Sequence, residues 1–389
     1  MVKILKLLLI FFIYSSISFN LISQTIAAGS YHTVLLDEEG YVWTLGFGSC
    51  GQLGHGDRKE QLIPKKIEGI IGITAVAAGD YHTVLLDNQS NIWTCGDEKY
   101  GQLGYGNNHH QLTPKQVSGI TDIIAIAAGA YHTVFLDKHG NVWTCGDARY
   151  GQLGYENNQS QFIPKQIEGI TDVIAIAAGG NKTLLLDKQR NVWFFGEEKY
   201  GEYQFQPKKI EEIINIVALA ASRSHIILLD ENAQVWTFGD GRNGQLGHGD
   251  RQYKSKPKKI ENITNIKAIA AGHSHTILLD EHNQVWTFGY GKFGQLGNGN
   301  TLDQILPNQL GNIKNITAIS AGNFHTILIG KEGRLWTFGD GEFGRLGHGD
   351  NKNQLLPKQI EGIPSITASN TYRFNKTKSA RNLFMHTSL

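Results

Sequence analysis

Residues 77–114 read AAGDYHTVLLDNQSNIWTCGDEKYGQLGYGNNHHQLTP, and close copies of this text recur along most of the chain. The seven tryptophans mark the recurrence, because they lie 50 residues apart except for one step of 43, at positions 43, 93, 143, 193, 236, 286 and 336. Internal repeats of this length are typical of propellers and solenoids. One repeated unit therefore decides the fold.

Each copy predicts four short β-strands. In the third copy they cover residues 123–128, 132–137, 141–146 and 163–167, which are rich in β-branched, aromatic and aliphatic residues and are bounded by Gly, Asp and Asn turns. The apolar runs are continuous, which indicates sheets covered on both faces. Seven such units that each need two neighbours close into a ring. We therefore predict an all-β, seven-bladed β-propeller of four-stranded blades, numbered 1 to 7 along the chain.

The two ends of the repeat region predict how the ring closes. The text that opens the first unit is degenerate, whereas residues 360–369, IEGIPSITAS, form an extra copy of the linker and first strand. We therefore expect the C-terminal segment to supply the strand that blade 1 lacks. The small residues Ala127, Ala128 and Gly129 suit the crowded strand nearest the axis, and the tryptophans suit positions between blades.

The repeats resemble those of the regulator of chromosome condensation family in the motifs AAGxxHT, LLD, VWTxG, GQLGxGD and a late Pro-Lys. The resemblance implies a seven-bladed propeller, in agreement with the count of units. It also implies that nucleotide exchange on a small GTPase is a candidate activity. The founding member uses a hairpin inserted in the propeller and a basic N-terminal tail, but every unit here has 50 residues or fewer and the N-terminus is apolar.

The two ends of the chain differ from the repeats. Residues 1–23 begin with Lys3 and Lys6 before the apolar run 7–14, which is typical of a secretory signal, although a first buried strand fits as well. With a signal the protein is secreted or lumenal, and without one it is cytoplasmic or nuclear. The propeller covers residues 24–369. Residues 370–389 form a basic tail, which is either a solvated end or a contact for an anionic partner.

Histidines recur in two places, and comparison between copies indicates structural roles for both. The text LGHGD, at 53–57, 246–250 and 346–350, is replaced in blade 2 by Tyr105-Gly106-Asn107, so it reads as a turn rather than a metal site. A second histidine opens the second strand of six blades, and blade 4 has Lys182 instead. We expect this second set to hold the backbone of a neighbouring loop.

Nothing in the sequence supports covalent catalysis. No glycine-rich loop follows a strand and opens a helix, and no nucleophile elbow is present. Cys95 and Cys145 fill a position that is phenylalanine in other copies, which indicates small buried side chains. We expect no enzyme activity, no cofactor and no metal. The near balance of 36 Lys+Arg and 35 Asp+Glu makes nucleic acid an unlikely partner, and the apolar run is too short to span a membrane.

Strand parity places the AAGxxH loop and the GDxxxGQLG loop of every blade on one face, which we call the top face. The residue before the recurrent histidine is aromatic in blades 7, 1, 2 and 3 and polar in blades 4 to 6. The second loop adds charged residues. The candidate partner-binding residues are Tyr31, Tyr81, Tyr131, Phe324, Lys99, Arg149, Asp97 and Asp147.

Aromatic residues and arginine are enriched in binding hot spots, so this arc predicts a protein-binding surface. The alternative is that the tyrosines pack under the loops and the charges pair locally. The shortened second loop of blade 4, GEYQFQP at 201–207, is either a notch for a partner or decay of one copy. We predict a monomeric, non-catalytic interaction scaffold for an unidentified protein, with guanine nucleotide exchange on a small GTPase as the alternative.

Overall fold

The computed structural model describes residues 25–199 and 201–366. Within them the chain forms seven antiparallel four-stranded sheets, each built from four consecutive strands in sequence order. The predicted all-β seven-bladed propeller is therefore confirmed. The segments 1–23 and 370–389, and the expectations that concern them, lie outside the described residues.

The strands of a blade succeed one another from the axis outward, so they are grouped here by position. The innermost strands are β1 (Ile26–Ala28), β5 (Ile73–Ala78), β9 (Ile123–Ala128), β13 (Val173–Gly179), β17 (Ile216–Ala221), β21 (Ile266–Ala271) and β25 (Ile316–Ala321). The second strands are β2 (His32–Leu36), β6 (His82–Asp87), β10 (His132–Asp137), β14 (Lys182–Asp187), β18 (His225–Asp230), β22 (His275–Asp280) and β26 (His325–Gly330).

The third strands carry the tryptophans and the fourth strands carry the late proline. The third strands are β3 (Val42–Gly46), β7 (Ile92–Gly96), β11 (Val142–Gly146), β15 (Val192–Lys199), β19 (Val235–Gly239), β23 (Val285–Gly289) and β27 (Leu335–Gly339). The outermost strands are β4 (Gln61–Lys66), β8 (Gln111–Gln116), β12 (Gln161–Gln166), β16 (Glu202–Lys209), β20 (Lys254–Lys259), β24 (Gln304–Gln309) and β28 (Gln354–Gln359). Two short 3-10 helices cover Lys331–Gly333 and Glu342–Gly344. Proline and lysine on an edge strand discourage pairing with another chain, which explains the recurrent Pro-Lys.

The core lies between blades. The second strands are buried on both faces, as the unbroken apolar runs predicted. Seven clusters of buried aliphatic and aromatic side chains each combine two adjacent blades, and the half-buried tryptophans pack against them. The indole N–H of Trp93 donates to the carboxylate of Asp87, 2.9 Å away, and this pair recurs in other blades. Cys95 and Cys145 are fully buried in these cores, and burial raises the pKa of the Cys95 thiol to about 12.

Both ends of the chain contribute to ring closure. The inner strand of blade 1 is β1, which comes from the N-terminal side and pairs with Thr33–Leu35 of β2. The C-terminal segment adds Ile366, which is fully buried with Ile26 between blades 7 and 1 and whose N–H donates to the carbonyl of Gly333. The expectation that the C-terminal segment supplies the inner strand of blade 1 was wrong, because β1 already fills that place. The predicted help from the C-terminal segment in closing the ring is present through a linker and one core side chain. Residues 367–369 lie outside the described part of the chain.

A belt of buried side chains links the blades near the axis. In six of the seven junctions, the Nε2 atom of the recurrent histidine lies 2.7–3.2 Å from a threonine hydroxyl of the next blade, in the pairs His32–Thr83, His82–Thr133, His132–Thr183, His225–Thr276, His275–Thr326 and His325–Thr33. Each threonine in turn donates to a backbone carbonyl of the preceding blade's second top loop, as Thr133 does to Gln102 at 2.7 Å. The expectation that the histidine itself holds a loop backbone was wrong, because the threonine intervenes.

The hydrogen bonds of the belt determine the tautomer of its histidines, and burial keeps them neutral. Since each threonine proton goes to a carbonyl, the histidine must donate through Nε2, and Nδ1 is left without a hydrogen. In five blades, including blade 3 with His132, Nδ1 is buried without a hydrogen-bond partner. Burial lowers the pKa of His132 to about 4 and that of His82 to about 3, so both are neutral near pH 7.

The belt is interrupted between blades 4 and 5, and three changes there belong together. The shortened loop of blade 4 is replaced by an extension of β15 and β16 into a longer hairpin, so the usual carbonyl acceptor is lost. Ile226 then takes the place of the threonine and is buried. Lys182 takes the place of the histidine and donates to the carbonyl of Arg223 at 2.6 Å, while burial lowers its pKa to about 8.

Candidate partner-binding surface

The two long loops of each blade meet on the top face, as strand parity predicted. The backbone N–H of Asp97 in the second loop donates to the carbonyl of Tyr81 in the first loop, 2.9 Å away, and Asp147 donates to Tyr131 at 2.8 Å. These bonds hold the residue before the recurrent histidine beside the charged start of the second loop. The tyrosines and the charged side chains therefore share one surface.

Three of the predicted aromatic residues form a continuous stack. The rings of Tyr31 and Tyr81 lie 5.1 Å apart and those of Tyr81 and Tyr131 lie 6.0 Å apart, with 26° between the ring planes in both pairs. All three side chains are half-buried. Tyr81 has a ring on each face, so a partner can reach only its edge and its hydroxyl group. Burial raises the pKa of Tyr131 to about 12, so this hydroxyl stays protonated.

Further aromatic side chains extend the stack in directions that the sequence did not indicate. Phe47 lies 6.0 Å from Tyr31 and 4.7 Å from Phe343, and Tyr100 lies edge-on to Tyr131 at 5.3 Å. Phe47 and Phe343 come from second loops. The copies of Phe47 in other blades are mostly aspartate or glutamate, whereas those of Phe343 are mostly aromatic. Only the folded ring shows that these loops lie against the first loop of blade 1.

Phe324 is placed differently from the expectation of one aromatic arc. Its ring lies 5.2 Å from Phe293, 5.6 Å from His273 and 6.3 Å from Tyr290, which belong to the blade 6 side of the top face. The structure thus groups Phe324 with blade 6 and groups the three tyrosines across blades 1 to 3.

The predicted charges are held in two different ways. Arg149 and Asp147 form a bidentate pair with both N–O distances at 2.9 Å, so these two charges pair locally. Asp97 instead accepts from Gln102 at 3.0 Å and has Nδ1 of His110 3.0 Å from its other carboxylate oxygen. The exposed Lys99 places its amine 5.2 Å from the centre of the Tyr100 ring.

A pocket of about 190 Å³ lies where these residues meet. Four of its six lining residues were predicted from the sequence, and Cys50 and Tyr100 complete it, so that the lining is Cys50, Tyr81, Asp97, Lys99, Tyr100 and Tyr131. Small-molecule sites usually enclose at least about 300 Å³. The pocket is therefore of a size to take a single side chain.

An ion pair across the axis was missed by the sequence reasoning. Arg223 of blade 5 donates to Asp80 of blade 2 at 2.9 Å, and the other carboxylate oxygen of Asp80 accepts from Ser30 of blade 1. The two partners are 143 positions apart in the chain, so no local pattern indicates the pair. It spans the end of the axis beside Tyr81 and Tyr131, which makes this part of the surface rigid.

A buried arginine at the junction of blades 7 and 1 was also missed. Arg345 replaces the glutamine found in the GQLG text of other blades and is fully buried. Its guanidinium lies 3.3 Å from Asp340 and donates to the carbonyl of Ser30 at 3.1 Å. It also lies 5.4 Å from the centre of the Tyr31 ring. The single GRLG copy was the signal that could have found it.

The short blade 4 loop is not an empty notch. β15 and β16 extend into a hairpin that carries the exposed Tyr203, whose ring lies 5.4 Å from Tyr150 of blade 3. The hairpin therefore covers the edge of blade 3 with an ordered element.

The three LGHGD histidines share no common site. The LGHGD histidines lie in separate turns and bond to threonines of their own blades, as His55 does to Thr44 at 2.9 Å. Within residues 25–199 and 201–366, no group of three or more His, Cys, Asp or Glu side chains is arranged to hold a metal ion. No helix in this part of the chain has the length and apolar character needed to cross a bilayer.

Comparison with known protein families identifies the repeat. The model of the RCC1-like domain matches residues 15–206. The model of the regulator of chromosome condensation (RCC1) repeat matches residues 232–279, 282–329 and 332–370. Together these matches cover most of the propeller, with residues 207–231 outside them.

Curated relatives match over one repeat only. A Danio rerio protein, Protein RCC2 homolog, is 35% identical over 49 residues, which is 13% of this chain and 10% of that protein. The Caenorhabditis elegans X-linked retinitis pigmentosa GTPase regulator homolog is 42% identical over 50 residues, which is 12% of this chain and 4% of that protein. The aligned stretch is thus a tenth or less of the length of these relatives.

A solved structure matches the whole ring. Prp20p of Saccharomyces cerevisiae superposes with a TM-score of 0.76 at 22% identity, covering 84% of this chain and 87% of that one. Its crystal structure was described together with its binding properties to Gsp1p and histones. At this level of identity the similarity establishes the fold alone.

Proposed function

Because the chain belongs to the regulator of chromosome condensation family, we propose that it is a non-catalytic protein-interaction scaffold whose partner docks on the top face of blades 1 to 3. The observation that carries the proposal is the stack of Tyr31, Tyr81 and Tyr131, which is held half-exposed beside Lys99 and the small pocket. Tyrosine in a rigid setting is the residue that protein-binding surfaces favour.

The geometry of the stack favours a protein over a flat ligand. A base or a sugar ring stacks on the open face of an aromatic side chain. Both faces of Tyr81 are occupied by its neighbours, and the guanidinium of Arg149 lies over Tyr100 at 4.4 Å. What remains is a row of ring edges and hydroxyl groups, which suits hydrogen bonds to a polypeptide.

The proposal is tested with a triple variant, Tyr31→Phe, Tyr81→Phe and Tyr131→Phe, which keeps the stacked rings and removes the hydroxyl groups. Affinity capture with quantitative mass spectrometry compares it with the wild-type chain. We expect the variant to retain its melting temperature and to lose a defined set of partners at least about tenfold, because several hydrogen bonds are removed. A matched control, Tyr203→Phe on the blade 4 hairpin, should keep those partners. An unchanged partner set in the triple variant argues against the surface.

Nucleotide exchange on a small GTPase is the second candidate. The observation that favours it is the family itself, since the resemblance of the repeats implies nucleotide exchange on a small GTPase as a candidate activity. Against it, each blade here is built within 50 residues or fewer and leaves no room for a long inserted hairpin. A nucleotide-release assay with purified GTPases distinguishes the two proposals, since a scaffold binds its partner without accelerating release.

A further inference from the structure

The aspartate that opens the second top loop holds an arginine in three blades. In each case the guanidinium comes from the same loop, in the pairs Asp147–Arg149 at 2.9 Å, Asp240–Arg242 at 2.6 Å and Asp340–Arg345 at 3.3 Å. Asp97 is the equivalent aspartate of blade 2. Among the ion pairs of the described residues it has no arginine partner, and its contact is with His110. In these three blades the partner of this aspartate is thus a guanidinium group.

The groups that replace the arginine at Asp97 are weaker partners. Oδ1 lies 3.0 Å from Nδ1 of His110 and accepts from the backbone N–H of Lys99 at 3.2 Å, and Oδ2 accepts from Gln102 at 3.0 Å. The backbone N–H of Glu98 donates to the same Nδ1 of His110 at 3.4 Å. The His110 side chain is 36% exposed, so it can leave without repacking the core. One ring nitrogen of an imidazole can reach this carboxylate, whereas a guanidinium presents two donors in a planar pair that gives charge-assisted hydrogen bonds.

Asp97 opens on the pocket described above. The pocket is walled by the rings of Tyr81, Tyr100 and Tyr131 and is large enough for one side chain. The chain already places a guanidinium group of its own against one of these rings, since Arg149 lies 4.4 Å from the centre of Tyr100. An arginine combines the planar donor pair that a carboxylate prefers with attraction to aromatic rings.

We propose that this pocket receives an arginine side chain from the protein partner, whose guanidinium displaces His110 and pairs with Asp97. The inference rests on the proposed function and gives the chemistry of the partner's central contact. The partner is therefore a protein that presents an exposed arginine on a segment narrow enough to enter between the first loops of blades 2 and 3.

The sign of the neighbouring charges makes the inference specific. Lys99 is exposed and, within residues 25–199 and 201–366, forms no ion pair with a carboxylate, so its amine repels an incoming guanidinium. Asp97→Asn should therefore weaken arginine binding and Lys99→Gln should strengthen it. Asp240→Asn changes the equivalent carboxylate in blade 5, away from the pocket, and serves as the matched control.

Cys50 allows a direct test, because its half-buried thiol lines the pocket while Cys95 and Cys145 are fully buried. The folded full chain is equilibrated with the disulfide forms of Cys-Gly-Arg-amide, Cys-Gly-citrulline-amide or Cys-Gly-Glu-amide in a glutathione buffer. Intact-mass spectrometry gives the equilibrium fraction of mixed disulfide at Cys50. Tethering raises the effective concentration of the side chain, so a weak preference becomes measurable.

We expect the exchange constant for the arginine peptide to exceed that for its neutral citrulline isostere at least about tenfold, because a charged hydrogen-bonded pair is gained. Asp97→Asn should bring the ratio near one, Lys99→Gln should raise it, and Asp240→Asn should leave it unchanged. Equal labelling by arginine and citrulline, preference for glutamate, or an unchanged ratio in Asp97→Asn overturns the inference. If Asp97→Asn does not fold, the ratio of the arginine and citrulline exchange constants in the wild-type chain and in Lys99→Gln tests the inference.

This outcome is separable from that of the proposed function. If the peptides show no preference while the triple tyrosine variant still loses its partners, the surface stands and the arginine pocket does not. If the arginine preference is present and no partner depends on the tyrosines, the pocket stands and the scaffold proposal fails.

Discussion

Lowering the pH from 7.5 to 5.5 should unfold the propeller through its histidine belt. The six belt histidines are fully buried, and burial lowers the pKa of each below its ordinary value of 6.5. The pKa of His82 falls to about 3 and that of His132 to about 4. The native ring therefore excludes protons that the unfolded chain takes up.

The direction and size of the change in the free energy of unfolding follow from the difference in histidine pKa between the native and unfolded states. Above pH 6.5 neither state is protonated and the free energy of unfolding does not depend on these groups. Below pH 6.5 the unfolded chain gains protons and stability falls by about 1.4 kcal/mol per pH unit for each histidine, or roughly 8 kcal/mol for six. Glu98 opposes this by about 1.4 kcal/mol per unit, or about 3 kcal/mol from pH 7.5 to 5.5, since burial raises its pKa to about 8 and the native state holds its proton. A net loss of about 5 kcal/mol remains over this range, which equals the lower end of the stability of a typical domain, about 5–15 kcal/mol.

The assay is urea unfolding at pH 7.5, 6.5, 6.0 and 5.5, followed by tryptophan fluorescence. His132→Gln should cost about 1–3 kcal/mol at pH 7.5, because the Thr183 hydroxyl loses its buried partner. The gap to wild type should then shrink by about 1.4 kcal/mol by pH 5.5, since glutamine does not titrate. His109→Gln, at an exposed position, should follow the wild-type curve throughout.

Two results refute this reasoning. A free energy of unfolding that stays constant from pH 7.5 to 5.5 means that the belt histidines are not excluded from protonation in the native ring. Parallel curves for wild type and His132→Gln mean that the acid sensitivity arises elsewhere.

Substitutions at three sites, two of them with a matched control, test the packing of the ring by thermal unfolding. Gly129→Ala should cost about 3 kcal/mol, because the added Cβ would lie 2.0 Å from Cε1 of His132. In the control Gly311→Ala, no atom lies within 4 Å of the added Cβ, so the change in stability should be close to zero. Arg345→Ala should cost about 3 kcal/mol, because it leaves the buried carboxylate of Asp340 unpaired. Arg345→Gln should cost less, since glutamine occupies this place in other blades. Equal melting temperatures for the two variants would contradict the ion-pair argument. Ile366→Ala should cost about 3 kcal/mol if the C-terminal segment closes the ring, and a loss below about 0.5 kcal/mol would show that β1 alone suffices.

Much of the candidate surface followed from comparing copies of one repeat. Tyr31, Tyr81 and Tyr131 occupy one structural position in three blades, so their common face was fixed once the ring was recognised. The stacking of Tyr81 between the other two was not, because it depends on the distance between neighbouring first loops. Phe324 holds the same position in blade 7, yet its ring packs with Phe293 of blade 6 rather than with the tyrosines.

The sequence by itself determined the number of blades, the strands of each blade and the residues of the buried core, since the same pattern of strands and turns recurs in seven copies. Only the tertiary structure decided which side chains meet across blades: the histidine–threonine belt, the Asp80–Arg223 pair and the pocket beside Asp97. The physical reason is that periodicity encodes hydrogen bonds and burial within a strand. Contacts between residues 50 or 143 positions apart depend on the angle and distance at which whole sheets pack around an axis.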